Sequence, residues 1–363
     1  MANYIKKLYT IDEVLPDMEV GEDVLTDDGK IMVSAGTILT KNIIEGLKCW
    51  DISAIYIRTE NDSPTEVLAI SVVEKTLLSK SQQEFTDKYN VTTNKIKKSF
   101  ETMRFFKEAP VKEMAELATK DLLPMLESVG IINYLQMTRQ QDDYTFQHSA
   151  NVAVICGLLG KWLGYTDIKT KELVLAGLLH DIGKTQIPLN ILDKPDALSK
   201  IEMDIMQTHT TLGYKLIKDN KELSANIIYG VLQHHERMDG SGYPFQVKAD
   251  KLHQYARIIA IADTYDAMTS NRVYHQKETP FLVVETMVSE MYLKLDPQIC
   301  TVFLNNVRNY FTGNIIKLSD GRQAEVVYLG PSIATRPTVR TQDGQFIDLE
   351  KYKNIGIVEL IEA

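Results

Sequence analysis

The chain has 363 residues, 44% hydrophobic and 25% charged, a globular balance that excludes disorder and collagen-like structure. It carries 40 Lys and Arg against 49 Asp and Glu, a formal charge of −9. That excludes broad coating of a polynucleotide, because phosphate backbones demand excess positive charge. At roughly 100–200 residues per domain, the length predicts about two or three domains.

Three cysteines, Cys49, Cys156 and Cys300, stand far apart with no CxxC spacing. A disulfide framework or thiolate zinc site is not expected, and a reducing cytoplasm fits best. The N-terminus, MANYIKKLYTIDEV, has no long apolar segment, so no secretory signal is expected. No apolar run reaches the roughly 18–20 residues needed to span a bilayer. The longest, Val152 to Leu163, is interrupted by Gly157, Gly160 and Lys161. The chain reads as soluble and cytoplasmic.

Residues 1–62 read as a small α/β unit. VGEDVL alternates apolar and polar, Asp27-Asp28-Gly29 signals a turn, and KIMVSAG reads as the returning strand. Thr40 is placed to cap a short helix bearing Ile43, Ile44 and Leu47, and Ile55-Tyr56-Ile57 reads as a last strand. Asn61-Asp62-Ser63-Pro64 marks a linker. Residues 63–130 read as a helical connector with long polar faces. Its apolar stripes are Leu68, Val72, Val73, Leu77 and then Ile96, Phe100, Met103. Such stripes pack either at a bundle edge or at a homodimer seam.

Residues 131–312 read as an all-α domain, with apolar residues at three- and four-residue intervals. Helices are expected around 146–163, 170–179, 200–217, 223–235, 255–268, 281–293 and 298–311. After Gly313 the texture becomes strand–turn–strand, with Asp320-Gly321 and Asp343-Gly344 as turns and IGIVELIE as a closing strand. Residues 313–363 thus form a small β-rich domain, and the chain as a whole is mainly α. Arg336 and Arg340 form an RxxxR pair in this tail, with two exposed strand arginines as the plain reading.

Five of the seven histidines stand near carboxylates in the helical block: His148, His180, His209, His234 and His235. A single buried histidine is usually structural, so the pattern matters more than any member. In LAGLLHDIGK, His180 and Asp181 end an apolar run, and Lys184 lies within one helical turn. A buried charged pair needs compensation. A divalent metal supplies it; an ion pair with Lys184 is the bland alternative. His234-His235-Glu236 also ends an apolar helix and is followed by RMDGSGYP, in which Gly240 and Gly242 permit close backbone approach. A surface turn explains those glycines equally well, but not the preceding histidine pair.

HDIGK, HHERMDGSGYP and ADTYDAMTSNRVY, in this order and spacing, resemble the HD-GYP family of cyclic dinucleotide phosphodiesterases, a bacterial signalling branch of the HD metal-dependent phosphohydrolases. The resemblance covers about 140–310. It implies an HD-type catalytic fold and a site for two divalent metal ions, iron or manganese first and zinc next. By matching position it assigns His148, His180, Asp181, His209, His234, His235 and Asp263 as ligands, with Asp181 bridging. It places Lys184 beside the scissile phosphate. Arg272 would hold a phosphate, and Tyr243 with the Gly240–Gly242 loop would contact a guanine or position the neighbouring strand. Two departures stand out. Tyr144 occupies the place of a glutamate that binds a third metal in some members, which favours two metals. His275 stands where a more basic phosphate contact is usual.

The implied reaction is hydrolysis of cyclic di-GMP to pGpG, with GMP as an open second product. Hydroxide activated by metal would attack the phosphodiester. Two alternatives stay open: an HD hydrolase for another cyclic dinucleotide or nucleotide, and a non-catalytic sensor or scaffold that binds without turnover.

Overall fold

Alternation of apolar and polar residues near the N-terminus gives way to helical spacing and then to alternation again, and the backbone follows that order. The computed structural model describes the chain except residues 1–3, 12, 26–30, 50–51, 53, 61–63, 129–130, 138–143, 271–277, 331–335 and 363. The side chains of 64–82, among others, are also left undescribed. The contacts group the chain into two compact units, Met1–Ser81 and Gln82–Ala363.

In the first unit, β1 (Tyr4–Thr10), β2 (Glu19–Val20), β3 (Val24–Leu25), β4 (Ile31–Val33), α1 (Lys41–Cys49) and β5 (Ala54–Glu60) follow in order. β5 lies between β1 and β2, antiparallel to both. β3 and β4 form a separate antiparallel pair. VGEDVL therefore splits into β2 and β3 instead of one strand. Asp23 sits at the split, accepting a hydrogen bond from the Ala35 amide at 2.6 Å. The Asp27–Gly29 turn lies outside the described residues. Thr40 caps α1 as expected, its hydroxyl accepting from the Ile43 amide at 3.4 Å. Val20, Leu39, Leu47, Ile55 and Ile57 make a core of this unit's own.

A single helix, α2 (Pro64–Phe106), begins in the first unit and ends in the second. Phe85, Tyr89, Ile96, Phe100 and Met103 on its C-terminal half are buried in the second unit's core. Of the two readings for the connector, this half packs as a bundle edge. α3 (Val111–Glu116) continues through a π turn and a 3-10 turn to Glu127, then α4 (Ile131–Met137). The helical block proper comprises α5 (Tyr144–Trp162), α6 (Asp167–Leu179), α7 (Leu189–Leu192), α8 (Lys200–Gln207), α9 (His209–Ile217), α10 (Ala225–Gln233), α11 (Gln254–Thr269), α12 (Pro280–Glu290) and α13 (Pro297–Val307).

The expected helix over 200–217 is interrupted at Thr208. The Thr208 hydroxyl donates to the Ile205 carbonyl at 2.6 Å, and the His209 ring bonds the Met206 carbonyl at 2.8 Å. Side chains that bond to nearby carbonyls compete with the helical ladder. The break starts α9 at His209 itself.

The tail forms a five-stranded antiparallel sheet in the order β10-β6-β7-β8-β9. These strands are β6 (Ile315–Leu318), β7 (Gln323–Tyr328), β8 (Thr338–Thr341), β9 (Phe346–Asp348) and β10 (Ile357–Glu362). Gly321 and Gly344 take φ of +90° and +83° at the expected turns, a region that favours glycine. Ile316, Leu318, Val326, Val339 and Leu349 turn inward and join the same core as the helices. Arg340 pairs with Glu325, and Arg336 donates to the Lys353 and Ile355 carbonyls. Both arginines of the RxxxR pair thus serve the sheet's own packing. Among the described residues, no helix is long and apolar enough to cross a membrane.

Candidate metal centre

Apolar runs carry α6 and α10 into the core, and both helices end on a histidine. His180 follows α6 and His234 follows α10, each with its ring folded back on its own last turn. The Nδ1 of His180 bonds the Gly177 carbonyl at 2.7 Å, and that of His234 bonds the Val231 carbonyl at 2.7 Å. His209 does the same with Met206 at the break before α9. A carbonyl can only accept, so each Nδ1 carries a proton, which leaves Nε2 as the nitrogen that a neutral ring would offer to a cation. Such a fixed tautomer is the usual state of a metal-binding histidine.

The lone pairs converge. His148 on α5 and His180 face each other at 3.3 Å, Nε2 to Nε2, and so do His209 and His234. Nitrogen lone pairs at that distance repel unless a cation or proton lies among them. Asp181 stands between the pairs. Its Oδ2 lies 3.2 Å from His180 and 3.6 Å from His148, and its Oδ1 lies 3.3 Å from His209 and 3.9 Å from His234. Oδ1 is buried without a hydrogen-bond partner. Asp263 on α11 spans the same gap, with Oδ1 3.1 Å from His148 Nε2 and Oδ2 3.9 Å from His235 Nδ1.

Two groups of donor atoms result, each with its atoms within 4.8 Å of one another: Asp181, His209, His234 and His235, and His148, His180 and Asp263. All but the partly covered His235 are buried. A set of imidazoles and carboxylates, an orphaned carboxylate oxygen and opposed lone pairs together fit divalent cations of the first transition row.

The electrostatics agree. Burial alone would raise the carboxyl of Asp181, but the neighbouring His180 and Lys184 outweigh it and hold it well below the usual range. Asp263 is likewise held low, the hydrogen bond from His148 leading the opposition to burial. Burial pushes His209 down to about 4 and His234 and His235 well below the ordinary imidazole value, which keeps their lone pairs available. For His148 burial also acts downward, yet hydrogen bonds with Asp263 and Asp266 raise it to about 9. Without a cation the protonated form of His148 is thus favoured beside Asp263, and a bound cation would compete with that proton.

The other expected site residues fall in three classes. Lys184 is beside the cluster, its ammonium 2.6 Å from Asp181 Oδ2. Tyr243 stacks on His235 with ring centres 4.6 Å apart. Gly242 lies against the His235 carbonyl, whereas Gly240, at φ +84°, packs against Lys248 and shapes the loop itself. Arg272 and His275 lie outside the described residues, and so does the side chain of Tyr144.

Sequence reasoning missed several supports. Asp266 holds His148 Nδ1 at 2.7 Å and also accepts from Asn151 at 2.8 Å. It is three residues after Asp263 on α11, so helical spacing carried a signal. Buried Glu236 accepts from the Phe245 and Val247 amides at 2.7 and 3.1 Å and so fixes the loop that carries Tyr243. Its place directly after two histidines carries no sequence signal for such a brace.

The family model described as "HD domain" matches residues 134–299. The Pseudomonas aeruginosa protein named "Cyclic di-GMP phosphodiesterase PA4108" is 35% identical over 189 residues, 52% of this chain and 45% of that one. The Vibrio cholerae protein named "3'3'-cGAMP-specific phosphodiesterase 1" is 35% identical over 179 residues, 47% of this chain and 40% of that one. The chain therefore spans less than half the length of these curated relatives. The solved structure of Bd1817, an HDG"Y"P protein from Bdellovibrio bacteriovorus, aligns with a TM-score of 0.50 over 84% of this chain and all of that one. At 18% identity that likeness speaks for the fold. The segment 134–299 thus matches the HD domain, and HDIGK, HHERMDGSGYP and the two donor groups all lie inside it.

Proposed function

We propose that this chain hydrolyses a phosphodiester bond of a cyclic dinucleotide, with cyclic di-GMP as the substrate and pGpG as the first product. His148, His180, Asp181, His209, His234, His235 and Asp263 hold two divalent ions, iron or manganese by preference. When bound, such ions make water acidic enough to attack near neutral pH and neutralise charge on the phosphoryl oxygens. The observation that carries this reading is Asp181, one oxygen facing each group of donors.

The chain's own residues do the rest. Lys184 adds positive charge for a phosphate oxygen while it holds Asp181 in place. Tyr243 stacks on His235 and presents its ring edge to a base. Arg272 and His275 follow α11 directly in sequence and supply the remaining phosphate contacts.

The test uses anaerobically prepared protein, assayed for metal content and for turnover of cyclic di-GMP. Asp181→Ala is expected to remove both metal loading and hydrolysis while the far-ultraviolet circular dichroism stays intact. Hydrolysis that survives in metal-free Asp181→Ala protein would overturn the reading. A second reading, cleavage of 3'3'-cGAMP, is favoured by the name of the Vibrio relative. Side-by-side kcat/KM for the two dinucleotides separates them, and binding without turnover of either would point to a sensor.

A further inference from the structure

Helix α2 reaches the donor cluster from outside the segment 134–299, and it does so at two points. The first is Tyr89, which is fully buried. Its hydroxyl donates to Asn151 Oδ1 at 2.6 Å. The Asn151 amide donates to Asp266 Oδ1 at 2.8 Å, and Asp266 Oδ2 holds His148 Nδ1 at 2.7 Å. An unbroken buried chain of hydrogen bonds therefore runs from α2 to one imidazole of the site. The second point is Arg104, whose guanidinium donates to the Lys184 carbonyl at 3.1 Å and the Ile187 carbonyl at 2.9 Å. Those carbonyls belong to the turn that follows Asp181.

The two contacts are fifteen residues apart, roughly 22 Å along the helix at 1.5 Å per residue. One acts on the His148–Asp263 side and the other on the Asp181–Lys184 side. The donor atoms must meet an ion within tenths of an ångström, so restraints on ring orientation and on the Asp181 turn translate into affinity. An apolar residue at 89 would pack as well against Phe85 but would leave Asn151 Oδ1 facing nothing. An apolar residue at 104 would take this guanidinium donor away from the Lys184 and Ile187 carbonyls.

We propose that Tyr89 and Arg104 are positioning residues, through which α2 sets the geometry of the donor groups. The inference rests on the metal-site reading above. It adds that the site depends on a helix lying before the family segment.

The experiment compares the full chain with Tyr89→Phe, Arg104→Gln, Arg104→Lys and, as a control on the same helix, Phe105→Ala, whose side chain is 80% exposed. Three quantities are measured: Mn(II) affinity by titration, melting temperature of the metal-free protein, and kcat at low and saturating Mn(II). Outer-shell substitutions typically weaken metal binding about 10–100-fold. Tyr89→Phe and Arg104→Gln, one bond further out, are expected to weaken it by about threefold to tenfold. Arg104→Lys, which still donates to a carbonyl, should fall between Arg104→Gln and the parent. Saturating Mn(II) should restore kcat in each, and Phe105→Ala should match the parent.

Parent-like Mn(II) affinity in both Tyr89→Phe and Arg104→Gln would overturn the proposal. So would losses of affinity that merely track a lowered melting temperature, or a kcat that saturating Mn(II) leaves depressed. If the parent binds Mn(II) yet turns over no cyclic dinucleotide, the substrate reading fails while the affinity comparison still decides this one. If the parent binds no divalent ion, both fall.

Discussion

A β-carbon added to Gly242 would stand 2.3 Å from the His235 carbonyl oxygen and 2.5 Å from the Glu236 Cα. One added to Gly183 would stand 1.9 Å from the His209 carbonyl oxygen and 2.5 Å from the Gly213 amide. In both cases the obstacle is main chain, which cannot swing aside as a side chain does. These glycines let the GSGYP loop close over His235 and let the Asp181 turn seat against α9. Gly242→Ala and Gly183→Ala are each expected to cost at least the upper part of the roughly 1–3 kcal/mol typical of overpacking. Both should also lose Mn(II) binding. Gly46→Ala is the contrast: it sits within α1 with nothing within 4 Å, and the change should stabilise by about 1 kcal/mol through helix propensity. Urea unfolding of the three variants checks all of these signs. Gly242 was legible in the sequence as a place of close approach. Gly183 was not, because its neighbours come from a helix some thirty positions away.

Helices were legible as elements because their apolar residues repeat every three or four positions, but their joints depend on side-chain chemistry that the spacing does not register. The break at Thr208 is one case. Another is α2: polar faces on both halves hid the fact that one helix runs from 64 to 106. Strand β1 went unmarked because YIKKLYT has no clean alternation; its partner β5 fixes it along its whole length. Where a sequence signal is a cap, it is local and readable. Ser199 and Glu202 form a reciprocal capping box at the start of α8, and Lys194 pairs with Glu202 at 2.6 Å. Ser199→Ala is expected to cost about 1 kcal/mol. Hydrogen bonds from Lys194 and from Ser199 hold the Glu202 carboxyl down at about 2, below its ordinary value near 4.5. Its contribution to α8 is therefore complete above pH 4.5 and fades as pH falls towards 2. Hydrogen exchange of α8 amides across that window should show the loss, and Glu202→Gln should abolish the pH dependence.

At the scale of the whole molecule there are two separate cores, and the boundary between them falls inside α2 rather than at a change of sequence texture. The tail looked like an independent β module, yet its inward residues share a core with helices as far back as Phe85. Calorimetry is expected to show two transitions. Leu39→Ala, fully buried in the first core, should lower one; Leu318→Ala and Met103→Ala, both buried in the second, should lower the other. Each substitution should cost roughly 2–5 kcal/mol. A third transition moved by Leu318→Ala alone would show that the tail folds apart. The five histidines were readable as an unusual pattern near carboxylates, while the full donor set was implied by the family resemblance. Asn151 and Tyr89 were not readable, and Asp266 showed only as the residue one helical turn after Asp263, since the bonds among them exist only once α5, α11 and α2 are packed. The charge of −9 still argues against broad coating of a polynucleotide, and for the proposed cyclic dinucleotide the positive potential would have to be local.

The three histidines whose Nδ1 bonds a carbonyl of the preceding turn divide their two nitrogens between separate duties. One nitrogen closes a helix end, and the other looks into the centre. An asparagine amide has nearly the reach of Nδ1 and none of the reach of Nε2. His180→Asn, His209→Asn and His234→Asn therefore silence the centre while leaving each helix end closed, whereas alanine removes both at once. The contrast between the two replacements offers a way to tell a molecule that cannot gather its ions from one that cannot finish its helices.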